Sequence, residues 1–293
     1  MLQDTTNTNT AAEPTADKPV KRTVLDADDV IEMVPKLAGH RKLVNRLLHW
    51  LYVDRVNAIH DKHFDTPGQP FTHALLHDFD IKLRVDNEQV LDHLPEGAFI
   101  TVSNHPFGAL DGISLIDLVA SHRPDYKVMV NMILGRITAM NPNFIAVDAL
   151  ASSDPKKKAV SMRGIKEAID QVKGGHGLGF FPAGAVSKVN RHLRLEDREW
   201  QSSVIRLIDK LKVPVIPIYF HGSNSLFFNI LGIISWQLRT LRLPREVWRR
   251  CHSTIHISIG DPISVEEQRR HAGSVEELGR FLKSKTYELR KCR

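Results

Sequence analysis

The sequence predicts an α/β domain: a central, mostly parallel or mixed sheet flanked by helices, with an N-terminal helical segment ahead of it. Three observations carry this prediction. Strand-like and helix-like segments alternate along most of the chain. The strand-like runs are short and almost continuously apolar, as in "AFITVS" (98–103), "GLGFF" (177–181) and "VPVIPIYF" (213–220), which suits strands buried on both faces. Apolar residues make up 42% of 293 positions, enough for a full core and too many for a disordered chain.

The elements follow in order. Residues 1–24 read as a disordered tail, because 1–22 lack an apolar stretch of the kind a signal peptide needs. Residues 25–70 form the helical segment. Within it Val44, Leu47, Leu48 and Leu51 recur at helical spacing beside Arg41, Lys42 and Arg46. "DTPGQPF" (65–71) is a turn-rich linker, and 71–293 form the α/β domain. "IKLRV" (81–85), "AFITVS", "KVMVN" (127–131) and "FIAV" (144–147) are strands, with a helix over Ile113 to Ala120. Pro155 to Val172 is a helix, with Asp154 as cap and Pro at the first helical position. Its apolar face is Met162, Ile165, Ile169 and Val172, and Gly174-Gly175 end it. Glu199 to Leu211 is a further helix. The two prolines of "VPVIPIYF" suggest an irregular or edge strand. "TIHISIG" (254–260) is the last strand, and Ser264 with Glu267 offers a capping box for the helices that close the chain.

Charge and cysteines narrow the partners. The formal charge is +6 with a pI near 9.3, compatible with nucleic acid, an anionic membrane or acidic substrates. No nucleic-acid motif is present, and the cations cluster beside apolar aromatics, so nucleic acid is not expected. Cys251 and Cys292 have no metal-type spacing, which fits a reduced compartment. The longest apolar-rich segment, "LFFNILGIISW" (226–236), falls short of the about 20 residues a membrane-spanning helix needs.

The chemistry concentrates where strands end. "ITVSNHPFGALDG" (100–112) carries His105 off a strand. Pro106 holds His105 extended, and Gly108-Ala109 allow a tight turn, so Asp111 can fold back onto the ring. A carboxylate on one imidazole nitrogen fixes the tautomer and leaves the other nitrogen as a base. Helix N–H groups opening near Gly112 would add a positive dipole end. His and Asp six apart also occur by chance, but ligands of α/β sheets gather at strand C-terminal ends. "GFFPAGAVSK" (179–188) repeats the pattern: Gly184 permits close backbone approach, and Ser187 and Lys188 offer polar contacts. "VPVIPIYFHGSNS" (213–225) ends in His221 and Asn224. His60 and His63 lie three apart, but without a third ligand they read as a wet helix face, so no metal site is expected. Neither Ser103 nor Ser187 lies in Gly-x-Ser-x-Gly, which argues against a serine hydrolase.

Taken in this order, Asn104-His105 with Asp111, then Phe181-Pro182-x-Gly184, then Val-Pro-Val-Ile-Pro-Ile-Tyr, the three blocks resemble the glycerophospholipid acyltransferase family, the group of 1-acylglycerol-3-phosphate acyltransferase. The likeness covers roughly 79–262, and "SNHPFGALDG" and "HGSNSLFFNILG" look most like its bacterial hemolysin-like and ornithine-lipid subgroup. The resemblance implies a glycerolipid acyltransferase-like fold and acyl transfer from a thioester, on coenzyme A or acyl carrier protein, to a lysolipid hydroxyl. It implies His105 as general base and Asp111 as its orienter. Asn104, Phe144, Asp148, Phe181, Pro182, Gly184, Ser187 and Lys188 are the expected substrate-binding residues. No cofactor is implied beyond the thioester cosubstrate.

Departures from the family pattern bear on the acceptor. Five residues separate His105 from Asp111 where the wider family has four, and Ala183 replaces the usual Glu. The arginines usual in two of the blocks are absent; Asp148 lies near one such position. This weakens the case for a small phosphate-bearing acceptor and leaves a lyso-aminolipid or other lysolipid in competition with it. Lipid substrates also imply a cytoplasmic protein, peripheral on the inner face of the cell membrane. Phe227, Phe228, Trp236, Arg239 and Arg242 are the expected contacts with its anionic surface. A non-catalytic, membrane-perturbing protein is the alternative.

Overall fold

The structure is a computed structural model that describes residues 21–147, 155–190, 195–234, 239 and 242–291. Most of the expected tail lies outside these residues. At its end Arg22 pairs with Asp61 and Asp65, and Val24 N–H donates to Asn57 Oδ1 at 2.9 Å. Asp26 then caps α1 (Ala27–Met33), accepting from the N–H groups of Asp28 and Asp29. Helices α2 (Arg41–Trp50) and α3 (Val53–Lys62) follow. Val44, Leu48 and Leu51 close a small separate core with Ala27 and Val53. Leu47, placed on the same face by its spacing, is instead exposed.

The expected linker 65–71 is only half a linker. Gln69 opens helix α4 (Gln69–Asp78) with Pro70 in its first turn, where a missing N–H costs nothing. Phe71 is buried in the main core.

Among the described residues, β1 (Lys82–Asp86), β2 (Phe99–Ser103), β3 (Lys127–Asn131), β4 (Phe144–Val147), β5 (Gly177–Phe180), β8 (Val215–His221) and β9 (Thr254–Ile259) make one seven-stranded sheet. Its order is β1-β9-β8-β2-β5-β3-β4. All pairings are parallel except β8 with β9. A two-stranded antiparallel ribbon, β6 (Lys188–Val189) with β7 (Leu195–Glu196), stands apart. This is the mostly parallel, helix-flanked sheet the alternation predicts.

Each face of the sheet is covered. On one, Phe71, Leu75 and Leu76 of α4 and Leu110, Leu115 and Ile116 of α5 (Ala109–Ala120) pack with Phe99, Val128, Ile216 and Phe220. On the other, α6 (Pro155–Lys173), α7 (Ser202–Leu211) and α11 (Val275–Glu288) pack with Ile100, Val102 and Leu178. Strand β2 is buried along its whole length, as its continuous apolar run requires.

Four sequence expectations change here. Helix α5 opens at Ala109, four residues before the expected Ile113, so Asp111 sits in its first turn. The buried face of α6 is Gly164, Ala168 and Val172, whereas Met162 is 73% exposed and Ile165 44%. A Cβ on Gly164 would come within 2.3 Å of the Ala146 carbonyl, so α6 lies on β4 by its smallest residue. β8 is an interior strand despite Pro217, and Pro214 falls just before it. Pro217 pairs with Val102, and its carbonyl accepts from Gly260 N–H at 2.8 Å where β9 leaves the sheet, so the absent donor falls at the end of that ladder. Helix α7 starts at Ser202 rather than Glu199. The capping residue Ser264 accepts from Glu267 N–H at the start of α10 (Val265–Arg270), which is half of the expected capping box. The remaining helices, α8 (Leu226–Ile234) and α9 (Leu243–Arg249), lie between β8 and β9. No described helix is long and apolar enough to cross a membrane.

Candidate functional site

Strand β2 delivers His105 to the sheet edge at which its parallel neighbours β5 and β8 also end. Asn104 fixes the exit: its Nδ2 donates to Phe220 O at 2.9 Å and its Oδ1 accepts from Phe220 N–H at 2.7 Å. The Asn104 amide is therefore committed to β8 and nearly buried. The chain turns at Gly108, whose φ of +77° favours glycine. A Cβ there would also come within 2.7 Å of Leu243.

That turn places Asp111 at the mouth of α5. Its Oδ2 accepts from Phe107 N–H at 2.8 Å and Gly108 N–H at 2.9 Å. The same oxygen lies 2.9 Å from His105 Nδ1. The approach is off the axis of a ring N–H, so Nδ1 makes no aligned hydrogen bond, and Asp111 Oδ1 has no partner among the described residues. Asp111 is completely buried, while the His105 side chain is 19% exposed. Burial pushes the Asp111 carboxyl above its usual range; the His105 imidazole and the two amides oppose that push. The helix N-terminus thus serves Asp111 directly rather than an incoming ligand.

The second block closes over the ring. The Phe181 side chain lies against His105 with ring centroids 4.3 Å apart. Pro182 is buried, its carbonyl accepting from Gln201 N–H at 2.9 Å. Gly184 takes φ +60°, and a Cβ there would strike Gln201 at 2.1 Å. Ser187 N–H donates to His105 O at 2.8 Å. Its hydroxyl donates to Asp197 Oδ1 at 2.5 Å, and Ser187 is buried. Lys188 points to solvent in β6.

Asp197 is a residue the sequence reading missed. Its Oδ1 also accepts from the His105 backbone N–H at 3.2 Å, and its Oδ2 from Trp200 Nε1 at 3.2 Å. Its own N–H donates to Tyr287 Oη at 2.7 Å. One buried carboxylate so ties the His105 backbone to the 181–187 turn and to α11, and burial raises its pKa. In sequence it sits among Glu196, Arg198 and Glu199, a pattern that reads as solvated surface; Trp200 was the available hint.

Other expected residues lie elsewhere. Phe144 is in β4, separated from β2 by β5 and β3, and packs in the core. Asp148 and Trp236 lie outside the described residues. His221 turns to the sheet face of Tyr219 and Tyr287 and donates to or accepts from Ser258 Oγ at 2.8 Å. Burial lowers its pKa to about 4, with His256 adding to the effect. Asn224 is buried, and neither polar atom of its amide has a partner among the described residues.

Asp86, His221 and His256 bring three potential metal ligands within 4.8 Å of one another. The two imidazoles stack at 4.1 Å and 13°, so their in-plane lone pairs run side by side instead of converging, and Ser258 already links His221 to Asp86. The arrangement suits a hydrogen-bonded network better than an ion. His60 and His63 are not a wet pair: His60 is buried between Phe64 and Phe71 with Nδ1 2.7 Å from Arg22 O, and His63 faces Asp78.

Of the residues expected at a membrane, Phe227 is half exposed, alongside Leu226 and Ile230 on α8. Phe228 is fully buried, and Arg242 is buried in an ion pair with Glu246 at 3.0 Å, which removes both from lipid contact. Arg239 is half-buried beneath α8. Leu43, Leu47 and Trp50 of α2 are exposed as well.

Comparison with known proteins gives three findings. The model of a family described as "Acyltransferase" matches residues 29–293. A lyso-glycine lipid O-acyltransferase from Bacteroides thetaiotaomicron is 26% identical over 254 residues, covering 82% of this chain and 88% of that protein. One of the same description from Phocaeicola vulgatus is 26% identical over 234 residues, covering 76% and 79%. The solved structure of the 1-acyl-sn-glycerophosphate acyltransferase PlsC from Thermotoga maritima aligns with a TM-score of 0.47 at 15% identity, over 84% of this chain and 86% of that one.

Proposed function

Because the chain belongs to the acyltransferase family whose model spans residues 29–293, we propose that it moves a fatty acyl group from a thioester to a lysolipid hydroxyl. The donor is acyl-coenzyme A or an acylated carrier protein. The observation that carries the mechanism is the His105 Nδ1 to Asp111 Oδ2 distance of 2.9 Å at an open strand end. With Nδ1 turned to a buried carboxylate, Nε2 is left to the acceptor. It takes the hydroxyl proton as the oxygen attacks the thioester carbonyl. Asp111 stabilises the imidazolium that forms. Collapse of the tetrahedral adduct breaks the C–S bond, and the imidazolium returns its proton to the departing thiolate, giving ester and thiol. The chain's own residues supply this chemistry, so the reading needs neither metal nor covalent enzyme intermediate.

The acceptor is proposed to be a lyso-aminolipid. Both curated relatives are described as acting on lyso-glycine lipid, and the arginines that would mark a small phosphate acceptor are absent from the 181–187 block. Contact with the anionic inner face of the cell membrane is proposed through Leu226, Phe227 and Ile230 of α8 and Leu43, Leu47 and Trp50 of α2, all exposed.

The test is thiol release from acyl-coenzyme A with and without lysolipid. His105→Ala is expected to lower lysolipid-dependent release by about 10²–10⁴-fold, with unchanged circular dichroism. Wild-type turnover by that variant removes the mechanism. Release without acceptor makes the protein a thioesterase, and vesicle leakage without thiol release makes it a membrane-perturbing protein.

A further inference from the structure

Some guanidinium groups in this fold are matched by acids: Arg22, Arg123, Arg136 and Arg242 each face a carboxylate. Arg198 and Arg239, on the turn beside the candidate active site, do not. Arg239 threads its stem past α8, where a Cβ on Gly232 would come within 2.8 Å of its Cδ. Its guanidinium lies 5.5 Å from the Phe228 ring and donates to the carbonyls of Val186 at 3.2 Å and Ser187 at 3.5 Å. Arg198 Nε donates to the carbonyl of Ala183 at 2.5 Å. Among the described residues neither has a carboxylate ion pair.

Both cations therefore sit on one five-residue turn, Ala183 to Ser187, whose last N–H is bonded to His105 O. Burial lowers the Arg239 pKa, and the charge of Arg198 lowers it further. Carbonyl dipoles solvate a guanidinium but do not neutralise it, and two unneutralised cations that sense each other raise the energy of the fold. An oxyanion bound between them reverses that cost, because guanidinium groups bind phosphate and carboxylate with paired, charge-assisted hydrogen bonds.

We infer that Arg198 and Arg239 form an anion subsite that holds a phosphate or carboxylate of a substrate beside the Ala183–Ser187 turn. This rests on the acyl-transfer reading for the identity of the substrate, and the anion has two sources: the headgroup of the acceptor, or the phosphates of the donor's coenzyme A. Arg239 is the buried, pre-positioned member; Arg198, exposed, closes on the ligand from the solvent side.

Steady-state kinetics of wild type, Arg239→Gln and Arg198→Gln separate the sources. One arm compares a lysolipid bearing a free carboxylate with an uncharged monoacylglycerol. The other compares acyl-coenzyme A with the acyl thioester of N-acetylcysteamine, which has no phosphate. In one arm the KM of the charged substrate is expected to rise about 10–100-fold in Arg239→Gln, the worth of a lost charge-assisted contact. The uncharged counterpart and kcat should stay within about threefold. Gly232→Ala, which favours the helix but crowds the Arg239 stem, should reproduce the effect with the guanidinium still present. Charged and uncharged substrates moving together, or neither moving in either arm, overturns the subsite.

A wild-type protein that transfers to no acceptor would sink the acyl-transfer reading instead. Calorimetric titration with coenzyme A and with the carboxylate lysolipid then decides the subsite without turnover. Weaker binding of either by Arg239→Gln supports it, and equal binding of both overturns it.

Discussion

A carboxylate with no exposure, as Asp111 is, costs several kcal/mol of desolvation unless its lone pairs are matched. Two amides match one oxygen; the other has no partner among the described residues. The raised pKa is the signature of that residual cost, which falls on the fold above the ordinary carboxylate pKa, where the unfolded group ionises freely. Asp111→Asn removes the charge and keeps an acceptor for the two amides. It should lower kcat by about 10²–10⁴-fold, the range of an impaired general base, while the melting temperature holds or rises. A loss of activity that only tracks a loss of folding would make Asp111 structural. His221 titrates with the opposite sign. Its folded pKa near 4 lies below the ordinary value of 6.5, so the unfolded chain takes up a proton first and stability falls as pH drops from about 6.5 toward 4. His221→Asn should flatten that part of the melting temperature profile; an unchanged profile would show that the burial of His221 does not govern it.

The strands that carry the site depend on very small residues. Gly179 faces Thr101 and Val128 across β2 and β3, and a Cβ on it would lie 2.1 Å from Tyr126 Oη. That hydroxyl is bonded to Thr101 Oγ1 at 2.5 Å, so it cannot simply swing away. Gly179→Ala should cost about 1–3 kcal/mol by overpacking, with Tyr126→Phe in the same chain recovering part of it. Wild-type denaturant midpoints for Gly179→Ala would contradict the packing described. Helix and strand periodicity located β2, β3, β4 and β5 within a residue, because continuous apolar runs bounded by Gly, Pro and Asn leave few alternatives. It misjudged the face of α6, since a face chosen by hydrophobicity misses contact made through Gly164 and Ala168. It demoted β8 to an irregular or edge position because a missing N–H is harmless only where the neighbouring strand departs, and departure is a tertiary fact.

At the scale of the molecule, the described residues include the exposed apolar groups Leu226, Phe227 and Ile230 on α8 and Leu43, Leu47 and Trp50 on α2, and the chain carries a formal charge of +6. Arg245 bridges toward those on α2, its guanidinium 5.1 Å from the Trp50 ring. Exposed aliphatic and aromatic groups beside cations suit an anionic lipid surface, where each nearby cation contributes about 1 kcal/mol. The protein should sediment with vesicles rich in anionic lipid and release as salt screens the charges. Leu226→Ser with Phe227→Ser should weaken sedimentation and leave the melting temperature unchanged, since neither side chain is in the core. Equal binding to neutral vesicles, or no effect of the double change, would assign these groups to another partner.

The amino-acid order alone determined the α/β class, the strand that ends in His105, the Asp111 partner and the family, because these rest on local periodicity and on residue types at short spacing. Tertiary structure alone decided which oxygen faces the imidazole, and that Asn104 is committed to β8. It turned Phe228 and Arg242 inward and brought Asp197, Arg198 and Arg239 to the turn beside His105. Those contacts join residues up to 116 positions apart, and no spacing rule reaches across a sheet whose strand order is not the order of the chain.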